Sequence, residues 1–101
     1  MATLYVTEFG AAGIAGNFPI GVAQQLPTAE QTVAISGASA QSAVFNTNTT
    51  LVRLHTDAIC SVEFGANPTA AATKMRMAAN QTEYFSVPRG SNFKVAVITN
   101  T

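Results

Sequence analysis

Turn-forming residues recur so often along this chain that no helix of ordinary length fits between them. Gly37, the run Asn46-Thr47-Asn48-Thr49, Gly65-Ala66-Asn67-Pro68, Asn80-Gln81 and Pro88-Arg89-Gly90-Ser91 punctuate the sequence. Each supplies backbone freedom, a fixed φ or a side chain that bonds its own backbone, as turns require. Between them lie short runs in which apolar and polar residues alternate, the period of a half-buried strand. Thr32–Ser36, Gln41–Phe45, Thr50–Thr56, Ala58–Phe64, Thr73–Ala78, Thr82–Val87 and Asn92–Thr99 all read this way. β-branched and aromatic residues concentrate in them, as a pleated surface favours. Thr69-Ala70-Ala71-Ala72 is too short to stand as a helix and reads as a loop or single turn. The expectation is an all-β chain: a single β-sandwich or jelly-roll-like barrel of about seven to eight short antiparallel strands.

Residue parity assigns faces within these strands, because alternate side chains point to opposite sides. Val52 and Leu54 share one face; Arg53, His55 and Asp57 share the other. Met75 and Met77 are expected inside, with Lys74 and Arg76 outside. Phe93, Val95 and Val97 line one face of the last strand.

Residues 1–30 differ from the rest. A strand-like stretch, Leu4 to Phe9, is followed by Gly10, Gly13, Gly16, Pro19, Gly21 and Pro27 among alanines and glutamines. Glycine and proline at that density predict an extended, irregular N-terminal arm, with the sandwich body in residues 31–101. The arm still carries Leu4, Tyr5, Phe9, Ile14, Phe18, Ile20, Val22 and Leu26. A disordered tail lacks such residues, so these eight are expected to contact a protein surface.

Composition narrows the function. Charged residues make up 10% of the 101 residues, five basic against five acidic; about 25% is ordinary. A small chain with so little surface charge has weak defence against association, which points to an assembled state. The five Lys and Arg are scattered, so nucleic acid is not an expected partner. No apolar run is long enough for a membrane helix, and Met1-Ala2-Thr3-Leu4-Tyr5 lacks the start of a secretory signal. Assembly in the cytoplasm is expected.

Candidate chemistry is sparse. Cys60 is the single cysteine and alternates with Val62 and Phe64, the pattern of a small buried filler. His55 with Asp57 and Arg53 forms the one polar cluster, but a metal site needs about three or four protein ligands and there is no second histidine. The cluster reads as an outward stripe, with Glu63 or Arg76 as a cross-strand partner. Glu63 and Glu83 read as solvated face residues rather than an acid–base pair. Gly10-Ala11-Ala12-Gly13-Ile14-Ala15-Gly16 lacks the following helix of a phosphate loop and reads as linker. No catalytic, metal or cofactor residue is assigned, and no small-molecule substrate or cofactor is expected. Val87-Pro88-Arg89-Gly90-Ser91 matches the core of a thrombin recognition site.

The segment from Val52 to Ala70, with Asp57-Ala58 and Gly65-x-Asn67-Pro68, is followed by Met75–Phe85 and the terminal strand Gly90–Ile98. This half of the chain resembles small virion structural proteins of tailed bacteriophages, among them capsid decoration or cement proteins. The resemblance implies a β-sandwich or jelly-roll module in the virion, a homo-oligomer and commonly a trimer. Its implied partners are the major capsid protein or other virion proteins, and it carries over no catalytic residue. Two other classes compete: a small sandwich that binds carbohydrate or serves at the head–tail junction or tail, and a cupin-type enzyme. The first requires exposed aromatics on one face, the second several histidines.

Overall fold

A computed structural model describes residues 2–10, 12–15, 18–23 and 27–101, the two segments within 12–23 by their backbone alone. Ten strands form among the described residues: β1 (Thr3–Phe9), β2 (Ala12–Ala15), β3 (Phe18–Ala23), β4 (Ala29–Ala34), β5 (Ala40–Gln41), β6 (Leu51–Thr56), β7 (Cys60–Gly65), β8 (Met75–Met77), β9 (Thr82–Ser86) and β10 (Lys94–Thr99). There is no helix among the described residues.

Eight of the strands make two four-stranded antiparallel sheets, ordered β4-β1-β6-β9 and β5-β10-β7-β8. Followed from β4, the chain crosses between the sheets at every connection except the β7–β8 hairpin, as a jelly roll does, and β1 takes the slot of that fold's last strand. The two ends of the sandwich chain meet accordingly. Ile35 N–H donates to Ala2 O (3.0 Å), and Thr99 N–H donates to the adjacent Ser36 O (2.9 Å).

One core fills the space between the sheets. Leu4, Val6, Val33, Val52 and Leu54 come from one sheet; Cys60, Val62, Met77, Val95 and Val97 come from the other. Phe45, between the sheets in sequence, joins them, with Phe64 and Phe85 packed against the cluster. Phe64 and Phe85 meet tilted, centroids 5.1 Å apart, a favoured aromatic geometry. Strand parity therefore holds for β6 and β10. It fails for Met75, which stands exposed where Met77 is buried. β8 is a three-residue edge strand, and its first residue, although opposite buried Val62, stands in solvent.

The expected boundary at residue 30 does not separate arm from body. β1 is paired along its length on both sides, to β4 and to β6. Leu4 is wholly buried and Phe9 nearly so, so both are fold residues. The alternation Leu4–Val6–Glu8 outweighed the glycines that follow. What stands apart is the pair β2–β3, a two-stranded sheet that among the described residues shares no ladder with either large one. It interrupts the connection between β1 and its neighbour β4, whose ladder closes with Thr28 N–H donating to Glu8 O at 2.7 Å. The linker reading of residues 10–16 is corrected on the same ground: Ala12–Ala15 is β2. Ala11, Gly16 and Leu26 lie outside the described residues.

Glu8 follows Leu4 and Val6 onto the inner face and is 1% exposed. A carboxylate there needs several donors. Asn46 N–H and the Thr49 hydroxyl each donate to Oε1 at 2.8 Å, and the Gln31 amide donates to Oε2 at 3.2 Å. Gln31 in turn accepts from Ala43 N–H at 2.8 Å. The segment from Ala43 to Thr49 is thus tied to β1 and β4 through two linked side chains, Glu8 and Gln31. Glu8→Ala strands Asn46 N–H and leaves Thr49 and Gln31 with only Thr28 Oγ1 and Ala43 O, so it is expected to cost about 3 kcal/mol, with Glu8→Gln costing less. The urea midpoint reads this, with m unchanged if the folded state stays intact.

Candidate interaction surface

Cross-strand register, not chain proximity, assembles the outer face of the β4-β1-β6-β9 sheet. One row across it is Thr32, Tyr5, His55 and Thr82; the next is Glu30, Thr7, Arg53 and Tyr84. Tyr5 and Tyr84 are 43% and 54% exposed, so both rings stand in solvent. Tyr5 leans toward His55, with ring centroids 6.2 Å apart. His55 Nδ1 and Thr82 Oγ1 lie 2.8 Å apart, which fixes the imidazole against β9. Beside Tyr5 is an open groove of about 300 Å³, lined by Tyr5, Val6, Thr7, Glu30, Gln31 and Thr32.

Arg53 and His55 do share the outward stripe that parity predicts. Asp57 does not join them: β6 ends at Thr56, and Asp57 sits in the following bend with its N–H donating to Thr3 O. The cross-strand neighbours of His55 are Tyr5 and Thr82, not Glu63 or Arg76, which belong to the other sheet. No group of three His, Cys, Asp or Glu side chains suited to a metal ion occurs among the described residues. Glu63 pairs with Lys74 at 2.9 Å on the opposite sheet from Glu83. That ion pair is half exposed and contributes little to stability.

Of the eight residues expected to contact a partner, the side chains of three are described, and among these only Tyr5 is in solvent. Leu4 and Phe9 are interior. The backbones of Ile14, Phe18, Ile20 and Val22 lie in β2 and β3, their side chains outside the described structure, and Leu26 lies outside it altogether. With no tryptophan in the chain, composition leaves Tyr5 and Tyr84 as its only tyrosine platforms, but nothing in the sequence points to Thr82, Thr7, Thr32 or Glu30. Parity marks each as outward on its own strand, but nothing local shows that β9 would lie two strands from β1.

Comparison with protein-family models, with curated proteins and with solved structures finds no match.

Cys60 is buried, as its alternation with Val62 predicts. Burial pushes its thiol above the ordinary value, partly offset by its contact with the Thr56 hydroxyl at 3.5 Å. The folded state therefore holds this proton more tightly than the unfolded state. That contribution to stability is present at neutral pH and is lost as pH climbs through the raised value. A neutral, covered thiol is a poor nucleophile. Iodoacetamide is expected to label Cys60 only at the rate of unfolding, which mass spectrometry with and without denaturant measures.

The thrombin-like turn carries an exposed Arg89, but Val87 is buried with its N–H donating to Thr50 O. Gly90 adopts φ of 71°, away from the extended form a protease cleft binds. Thrombin should cut after Arg89 far more slowly in the folded chain than in the denatured one, as gel electrophoresis of timed digests would show.

Proposed function

We propose that this chain is a structural protein of a tailed-phage particle, decorating and stabilising the capsid shell through non-covalent contacts. The carrying observation is the β2–β3 ribbon, a two-stranded sheet that among the described residues shares no ladder with either layer of the sandwich. A two-stranded hairpin is at best marginally stable in water. This one contains Ile14, Phe18, Ile20 and Val22 in its sequence, and a neighbouring protein surface that covers it supplies the missing layer. The eight-stranded body is the rigid mount from which the ribbon is presented.

The low charge supports the same reading. Surface rich in Thr, Ser, Asn and Gln is desolvated at lower cost than surface rich in ionised groups. Repetition over a symmetric shell turns many weak contacts into firm attachment. The partner is then the major capsid protein or another virion protein, and the chain works as a homo-oligomer, a trimer where shell subunits meet in threes.

Removal of the first 20 residues would delete a central strand and test only folding. The informative variant replaces residues 11–26 with a two-residue Asn-Gly turn, since β1 and β4 are antiparallel neighbours and such a turn joins them directly. That variant is expected to unfold cooperatively like the parent and to lose shell binding in co-sedimentation. Shell binding equal to the parent's would remove the ribbon from the interface. Quantitative mass spectrometry of purified particles tests the wider reading. A fixed stoichiometry with the major shell protein is the expected result. A few copies per particle would place the chain at the connector or tail, and absence from particles would end the proposal.

A further inference from the structure

We propose a second, separate site: the outer face of the β4-β1-β6-β9 sheet binds a neutral oligosaccharide, with Tyr5 and Tyr84 as stacking platforms. This does not rest on the particle reading and does not involve the β2–β3 ribbon.

The argument begins with the two rings. Tyr5 is on β1 and Tyr84 on β9, with β6 between them and an offset of one outward position along the strands. Strand spacing and rise put their Cα atoms about 12 Å apart. Both rings stand in solvent, and a side chain with an apolar body and a polar tip is of the kind enriched at binding surfaces. A sugar ring is complementary to such a platform: its C–H face lies on the aromatic ring, and its hydroxyls point to the rim.

The rim here is polar. His55, Arg53, Thr7 and Thr82 occupy the positions between the tyrosines, and Glu30 and Thr32 border the groove on the β4 side. They supply both donors and acceptors, as hydroxyl recognition requires. Among the described residues neither Arg53 nor Glu30 is in an ion pair. His55 spends Nδ1 on Thr82, and among the described residues Nε2 has no partner. The groove, about 300 Å³, is at the small end for a ligand site.

The other ligand classes fit less well. One arginine against one glutamate gives no net field for phosphate. β1 is paired on both edges, so no row of free backbone groups is open to an added peptide strand at the groove's centre. The exposed anchors are tyrosines among hydroxyl-bearing side chains rather than an aliphatic patch, which favours a polyol over an apolar protein surface.

The test is NMR titration of the isotope-labelled full chain with cellohexaose, chitohexaose and maltohexaose at millimolar concentrations. Saturable shift changes confined to β1, β4, β6 and β9 with at least one of these sugars are expected. Tyr5→Ala and Tyr84→Ala should each weaken binding about tenfold, and Tyr5→Phe should retain most of it. Because both rings are exposed, these variants are expected to fold, and the amide spectrum checks that directly. Absence of shifts with all three sugars overturns the proposal. So does shell binding that Tyr5→Ala abolishes while no sugar binds, since the face would then be a protein interface.

Discussion

The sandwich depends on its N-terminal strand being held from both sides. β1 lies between β4 and β6 and brings Leu4 and Val6 into the middle of the core. Without it, β4 would lose its only partner in that sheet, and β6 would become an edge. Two unpaired strand edges inside a small domain invite aggregation. β1 thus fills the slot a jelly roll leaves for its last strand, and the sheet is complete only when Ala2 has met Ile35. Antiparallel pairing over such separations in sequence carries a loop-closure cost that favours slow folding.

Glu8 extends that dependence from backbone to side chain. It occupies an inward position on a strand that is otherwise apolar on that face, and it is satisfied by three donors from two other segments. Those partners fix Gln31 on β4 and the loop from Asn46 to Thr49, while Thr49 also meets the Thr28 hydroxyl at 2.9 Å. The groove on the outer face lies over the same β1–β4 pair. Interior polar satisfaction and outer surface shape are therefore set by one pair of strands.

How far the fold was legible depends on the range of the signal. The strands of the body are written in two-residue alternation, a local property, and β6, β7, β9 and β10 fall where it places them. Cys60 likewise follows from its neighbours. The arm was misjudged because glycine and proline content reports local stiffness, whereas β1 is stabilised by partners more than 20 residues away in both pairings. Met75 and Asp57 depart from parity for a related reason: parity does not report the exposure of a short edge strand or the point where a strand ends.

By itself the sequence determined the class of fold, the strand segments, the inward residues of the central strands and the scarcity of charge. All are properties of single residues or of near neighbours. Tertiary structure alone decided which strands lie side by side. That choice made β1 a core strand, turned Glu8 into a tie between segments, and set Tyr5, His55, Arg53 and Tyr84 on one surface. The physical reason is that a strand's two edges are chemically alike, so pairing is selected by the burial of whole faces rather than by any signal within one strand.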